Sequence, residues 1–381
     1  MSGSMFQQAF YGGDKCRLRS VFSAVQPALQ SQTKVESIYR GGIDKKSHNR
    51  RNHEENWLNR VKTYISSYAF TAHTQGETMN LTEKIQKLKK EKKAIILAHN
   101  YQRPEIQDIA DYVGDSIELS RKAKLEQNAE ILVFAAVDFM AESAAILNPA
   151  KKVLLPSLGA RCPMAQMLTV DEIKRWKVHY PHAPVVLYVN TLASAKAYCD
   201  ICCTSANAVE VINSLDADTI LFGPDRNLAE YAAEKTGKTL IPIPEWGFCP
   251  THLLFQPEDV TVLKMQYPDA AVMVHPECSA EMRKVADFVG STSKMCRYAR
   301  ESNAKTIIVG TEEGLLHRLR KENPEKQFII AYEGAVCPNM KLTTLDRLYA
   351  SLKQEKHVIK IPEAVARKAS AALERMFQVK S

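Results

Sequence analysis

Several things are missing from this 381-residue chain, and each absence excludes something. Its longest uninterrupted apolar run, Ile131 to Val137, is seven residues, against the roughly 20 that a membrane-spanning helix needs. A soluble protein without a membrane partner is expected. No charged-then-apolar N-terminal segment announces secretion, so the nine cysteines are expected to be reduced rather than paired. A basic surplus in the folded part is also missing. The formal charge is +8, yet residues 1–78 hold 11 basic and 6 acidic side chains, leaving only +3 for the other 303 residues. A nucleic-acid partner wants a basic stripe on a folded face, so none is expected. Residues 1–78 show no sustained period and read as a disordered or weakly structured basic tail. A cytoplasmic location is expected in preference to organelle targeting by that tail. What remains, with 45% hydrophobic residues overall, is enough chain to bury a large core in two or three domains.

From Met79 onward the chain repeats itself with a period near 87 residues. Short apolar strands with polar ends recur at Ile95–Tyr101, Val185–Asn190 and Val272–Glu277; His99 to Tyr188 is 89 residues and Tyr188 to His275 is 87. Hydroxyls at expected helix starts follow at Ser116, Ser205 and Thr292. Second strands are expected at Ile131–Ala135, Thr219–Phe222 and Thr306–Val309, and third strands at Val153–Leu155, Thr239–Pro242 and Gln327–Ala331. Each unit ends in a glycine-containing loop with one cysteine, Cys162, Cys249 or Cys337, spaced 87 and 88 apart. Strands alternating with helices predict parallel sheets with right-handed crossovers. The expected fold is α/β: three pseudo-threefold-related α/β/α sandwich units around a central active site. Their approximate bounds are 79–170, 171–257 and 258–381, the last carrying the C-terminal helices.

Open parallel sheets collect functional groups at the carboxyl ends of their strands, where these polar residues and cysteine loops fall. Three thiols in matched register point to a metal. Structural zinc favours four ligands, usually in close pairs, whereas thiolates are the usual iron–sulfur ligands; three of them on a four-iron cluster leave one iron open. The stretch Cys199-Asp200-Ile201-Cys202-Cys203 lacks the second half of a metal knuckle, and Ile201-Cys202-Cys203-Thr204 reads as a short buried strand entering the Ser205 helix. Cys16, Cys278 and Cys296 have no counterparts in the other units.

The strings Ala98-His99-Asn100-Tyr101-Gln102, Gly114-Asp115-Ser116, Val137-Asp138-Phe139-Met140-Ala141-Glu142, Tyr188-Val189-Asn190, Thr204-Ser205-Ala206-Asn207-Ala208, Phe222-Gly223-Pro224-Asp225, Val274-His275-Pro276-Glu277 and Gly290-Ser291-Thr292 closely resemble quinolinate synthase (NadA), from about Met79 to the C-terminus. The resemblance implies a [4Fe–4S] enzyme of de novo NAD biosynthesis. Such an enzyme condenses iminosuccinate (iminoaspartate) with dihydroxyacetone phosphate to give quinolinate, phosphate and water. It also implies iminosuccinate drawn from an L-aspartate oxidase or dehydrogenase, with transient delivery as a partner interaction. Some relatives carry a C-x₂-C-x₂-C run at the last ligand. This chain has only Cys337-Pro338-Asn339-Met340, so their switch disulfide is not expected here.

Roles divide along the chemistry. Ser116, Ser205 and Thr292, at expected helix N-termini, suit carboxylate or phosphate oxygens. His99 and His275 can donate to carboxylates or move protons. Glu277, on the same side of an extended strand as His275, is the expected general base. Tyr101 and Tyr188 shape the pocket, and the resemblance gives Tyr101 a part in isomerisation and dehydration. Asn190 should orient a carboxylate, and His252 could serve the phosphate or sit beside the cluster. Val189 and Pro276 complete the expected substrate-binding set. An iron–sulfur hydro-lyase and an iron–sulfur or redox sensor remain alternative readings.

Overall fold

The computed structural model describes residues 78–379. The expected basic tail, except for its last residue, and Cys16 lie outside the described residues. Three four-stranded, all-parallel sheets make up the scaffold. The first comprises β1 (Ala94–His99), β2 (Tyr112–Gly114), β3 (Ile131–Ala135) and β4 (Lys152–Leu154), in spatial order β2-β1-β3-β4. The second repeats that order with β5 (Val185–Tyr188), β6 (Ile201–Cys203), β7 (Thr219–Gly223) and β8 (Thr239–Pro242). The third does so with β9 (Ala271–Val274), β10 (Phe288–Val289), β11 (Thr306–Gly310) and β12 (Gln327–Ile330). The second and third expected strands of each unit lie within a residue of their positions, while the first ends two or three residues early, at His99, Tyr188 or Val274. Pairing register repeats as well: Leu97 opposes Tyr112, Val186 opposes Ile201 and Met273 opposes Phe288.

A triplicated aspartate helps to set that register. Asp111, Asp200 and Asp287 each accept the N–H of the residue fifteen earlier, Ile96, Val185 or Val272, at 2.7 Å. Each returns its own N–H to the carbonyl of that same residue at 2.9 Å. Edge strand and central strand are thus locked at the start of every sheet.

Strand periodicity explains the cores. Leu97, Leu132, Val186, Ile220, Met273 and Ile307 point into one continuous buried cluster shared by the three units. Their strand neighbours Ile96, Val133, Val185, Leu221, Val272 and Ile308 point into three separate outer cores. A parallel sheet covered on both faces needs both sets apolar, which is why these strands read as short apolar runs instead of alternating ones. Phe134 is 1% exposed in the shared cluster, and truncating it to alanine should cost about 3–5 kcal/mol.

The helix Val170–His179 buries Ile173 on the outer face of the second sheet, and Pro257–Gln266 buries Val260 on that of the third. The equivalent helix after the third cysteine loop, Leu345–Gln354, lays Leu345, Leu348 and Leu352 on the outer face of the first sheet, beside Ile85 of the helix Thr78–Glu91. The helix after each cysteine loop therefore covers the next sheet, and the one after the third loop covers the first. An antiparallel bridge, Leu154 to Val358, ties this closure to β4. The final helix, Glu363–Gln378, packs on β6 and on the helices Asp138–Leu147 and Ala193–Lys196.

Candidate active site

One cavity is lined from all three units. His99, Tyr101, Ser116 and Cys162 come from the first, Tyr188, Asn190, Ser205, Cys249 and His252 from the second, and His275, Glu277, Thr292 and Cys337 from the third. Val189 and Pro276 are buried in the same strand-end turns but do not line the cavity. No lysine or arginine lines it either. Anions placed there must be held by hydroxyls, imidazoles and backbone N–H groups.

Ser116 and Thr292 are the first residues of the helices Ser116–Leu125 and Thr292–Glu301. Their neighbours do the capping: Asp115 forms a capping box with Glu118, and Ser291 accepts from Lys294 N–H. That division frees Ser116 and Thr292 to face the cavity, where Thr292 Oγ1 accepts from Asn100 Nδ2 at 2.8 Å. Ser205 departs from the expected helix start. It sits in a turn three residues before the helix Ala208–Asn213, because the buried Thr204–Asn207 hydrogen bonds form a turn first. Its hydroxyl meets His275 Nε2 at 3.1 Å.

His99 and His275 repeat one backbone device. His99 Nδ1 accepts the N–H of Tyr101 at 3.1 Å, and His275 Nδ1 accepts that of Glu277 at 3.4 Å. Each acceptor role leaves Nε2 to carry the proton, so a neutral ring presents a donor. Burial lowers both histidines to about 3, which keeps them neutral at physiological pH.

β9 ends at Val274, so Glu277 reaches the site from a turn and not from the extended strand expected for it. Its Oε2 accepts from His252 Nδ1 at 2.7 Å and lies 3.5 Å from His275 Nδ1, while Tyr188 also bonds the carboxylate. Burial would push this carboxyl up, but His252, His275 and Tyr188 outweigh it and hold the group down to about 2. The carboxylate is therefore ionised at neutral pH, and its Oε1 is buried without a partner. Asn190 Oδ1 is a second orphaned acceptor in the lining.

His252 is 1% exposed. With Nδ1 donating to Glu277, its Nε2 accepts from Thr311 Oγ1 at 2.8 Å, with Tyr101 Oη at 3.4 Å. Tyr101 Oη and Thr311 Oγ1 are 2.6 Å apart. A hydrogen-bonded chain thus runs Tyr101, Thr311, His252, Glu277. Thr311 gave no signal in the sequence, because its importance is purely spatial. Behind Tyr101, Lys341 Nζ donates to its carbonyl at 2.9 Å while pairing with Glu312 at 3.0 Å. Burial raises the Tyr101 and Tyr188 hydroxyls well above ordinary phenols, so both remain protonated donors.

The three cysteines line the cavity unpaired. Burial pushes all three thiols up, Cys337 to about 11, with nearby carboxylates adding to it at all three and the other cysteines at Cys162 and Cys249. Such thiols ionise only when a cation joins them. Each sulfur is also met by a backbone N–H three residues ahead, from Ala165, His252 or Met340, at the start of a short 3₁₀ turn. His252 Nδ1 adds a contact to Cys249 Sγ at 3.1 Å. A second way to hold a metal exists: ligand atoms of Cys249, His252 and Glu277 all lie within 4.8 Å of one another. Of the loop glycines, only Gly247 is demanded by close backbone approach, a Cβ there falling 1.8 Å from the Pro224 carbonyl; at Gly159 the nearest atom would be 3.5 Å away. Cys202 and Cys203 are buried in β6, as the packing reading expects.

Fold and site together define a triplicated α/β enzyme whose three units each bring one thiol to a shared cavity of hydroxyls and imidazoles. The family described as "Quinolinate synthetase A protein" (NadA) matches residues 83–378. The chain is 51% identical over 301 residues to the quinolinate synthase of Alkaliphilus metalliredigens, covering 79% of this chain and 99% of the relative. To that of Dehalococcoides mccartyi (strain CBDB1) it is 53% identical, covering 78% and 98%, and to that of Pyrococcus horikoshii 52%, covering 79% and 99%. This chain belongs to the quinolinate synthase family.

Proposed function

We propose that the chain acts as a quinolinate synthase of NAD biosynthesis, joining four-carbon iminosuccinate to three-carbon dihydroxyacetone phosphate with loss of phosphate and water. We assign a [4Fe–4S] cluster to Cys162, Cys249 and Cys337. Three unpaired cavity thiols, one from each unit and each with an N–H donor at its sulfur, support a multi-iron group over a lone metal at Cys249, His252 and Glu277. When bound, that group supplies an iron with an open position, a Lewis acid for a substrate carboxylate or hydroxyl.

The chain's own residues do the rest. Ser116 and Thr292 hold carboxylate or phosphate oxygens through hydroxyls and helix-start N–H groups, Ser205 does so through its hydroxyl, Asn190 orients a carboxylate, and His99 and His275 donate from Nε2. Glu277 is the general base. Its unpaired Oε1 takes a proton from substrate carbon, and the chain through His252 and Thr311 carries protons between Glu277 and the Tyr101 hydroxyl. The observation that carries this reading is that orphaned, ionised oxygen among neutral donors and three thiols. The units are taken as 79–170, 171–257 and 258–381. Cytoplasmic operation and delivery of iminosuccinate by an L-aspartate oxidase or dehydrogenase complete the proposal. Among the described residues, no helix is long and apolar enough to cross a membrane.

The test is anaerobic purification, an iron and sulfide count, and an assay of quinolinate from iminosuccinate and dihydroxyacetone phosphate. About four irons per chain with product supports the proposal. A folded, iron-loaded chain that makes no quinolinate overturns it.

A further inference from the structure

The cysteine loops are fastened in a way that repeats with the fold. Cys162 N–H donates to Asp138 Oδ1 at 2.9 Å, Cys249 N–H to Asp225 Oδ2 at 3.1 Å, and Cys337 N–H to Glu312 Oε1 at 2.9 Å. The acids lie 24, 24 and 25 residues before their cysteines and 87 apart from each other. Each also accepts an N–H at the turn or helix that follows the second strand of its unit: Phe139 at 2.9 Å, Leu228 at 2.7 Å and Gly314 at 2.7 Å. One carboxylate in every unit thus bridges a rigid helix start and the ligand residue itself.

The geometry points to Asp138, Asp225 and Glu312 as a triplicated set of positioning residues that hold the three cysteine ligands toward their iron–sulfur group. This rests on the iron–sulfur reading above. The surroundings differ from unit to unit. Asp138 has Arg161 at 3.8 Å and Glu312 pairs with Lys341 at 3.0 Å, whereas the bonds to Asp225 come from backbone N–H groups. Burial pushes all three acids up, Asp225 well above the ordinary carboxylate range. Charged or neutral, each keeps an acceptor oxygen for the cysteine N–H that fixes its loop.

A second aspartate triplet provides the matched control. Asp287 accepts the Val272 N–H at 2.7 Å at the start of β9, the end of the sheet away from the cysteine loops. Full-length protein, purified anaerobically with its metal, is prepared as parent, Asp138→Ala, Asp138→Asn, Asp225→Ala, Glu312→Ala and Asp287→Ala. Iron release to a ferrous chelator and thermal midpoint are measured on each. The three cysteine-loop alanine variants should release iron about 10- to 100-fold faster than parent. Asp138→Asn, which keeps an acceptor oxygen, should release at the parental rate. Asp287→Ala should lower the thermal midpoint and leave iron release unchanged.

Alanine variants that hold iron as tightly as parent overturn the inference, and so does Asp287→Ala shedding iron as fast as they do. Should the alanine variants fail to fold, Asp138→Asn decides: parental iron release supports an acceptor oxygen as what holds the loop, and accelerated release counts against it. A folded parent without iron sinks the family-based cluster assignment, and this inference falls with it.

Discussion

His252 Nδ1 stands 2.7 Å from one oxygen of the Glu277 carboxylate, while the other oxygen of the same carboxylate is buried without a partner. The histidine fixes the carboxylate and keeps it charged, and the free oxygen faces the substrate. Replacing Glu277 by glutamine preserves shape and removes the charge. Turnover should drop roughly 10²- to 10⁴-fold, the range for loss of a positioned acid or base, with iron content unchanged. Rates and iron counts on one preparation check this, and an unaltered rate would strip Glu277 of its role.

Two cysteine substitutions separate the metal centre from the core. Cys249→Ser should abolish the iron–sulfur chromophore, because that sulfur lies among the cavity thiols beside His252. Cys202→Ser lies in fully buried β6 and should cost about 1–3 kcal/mol for a poorly partnered hydroxyl while leaving the colour intact. Visible absorbance of the two anaerobic samples is the readout. Bleaching by the second substitution would contradict the assignment.

Acid should destabilise the folded chain well before ordinary carboxylates titrate. Burial lowers His99 and His275 to about 3, whereas an unfolded histidine titrates near 6.5. Between those values the unfolded state binds protons that the folded state refuses, so stability is present above about pH 6.5 and is lost as pH falls toward 3. Denaturant midpoints measured from pH 7.5 down to pH 5 should decline, and the decline should flatten in a His99→Gln/His275→Gln double variant. A flat parental profile would mean that these rings protonate in place.

Gly314 is where the third unit touches the back of Tyr101. A Cβ there would lie 2.7 to 2.8 Å from the backbone of Tyr101. Gly314→Ala should therefore shift the tyrosine, at a cost of about 1–3 kcal/mol in stability. It should also lower kcat more than it raises KM, because the displaced hydroxyl leaves Thr311 and His252. Steady-state kinetics with a thermal melt will tell, and wild-type kcat would show that the approach has slack.

Much of the site was readable in the chain because period and chemistry coincided. Cys162, Cys249 and Cys337 stood out only as a set in register, and the same register carried His99, Tyr188 and His275 to neighbouring strand ends. The acids Asp138, Asp225 and Glu312 had the same 87-residue signal, but carboxylates are frequent enough for that spacing to pass unremarked. Thr311 and Lys341 had no signal. They act across units, on Tyr101, through contacts 210 and 240 residues away in sequence. The turn position of Ser205 was likewise hidden, since Thr204 and Asn207 compete locally for the backbone groups that would start a helix.

The sequence by itself determined the repeat, the apolar strands buried on both faces, and the residue types offered at each strand end, because local period and composition dictate those. Only the tertiary structure decided how the units close. The helix after each cysteine loop covers the outer face of the next sheet, and after the third loop that sheet is the first, more than 200 residues back along the chain. No local pattern encodes that return. It follows from burying Leu345, Leu348 and Leu352 together with Ile85 and Ile96, and from one shared core that brings three strand-end faces onto a single cavity.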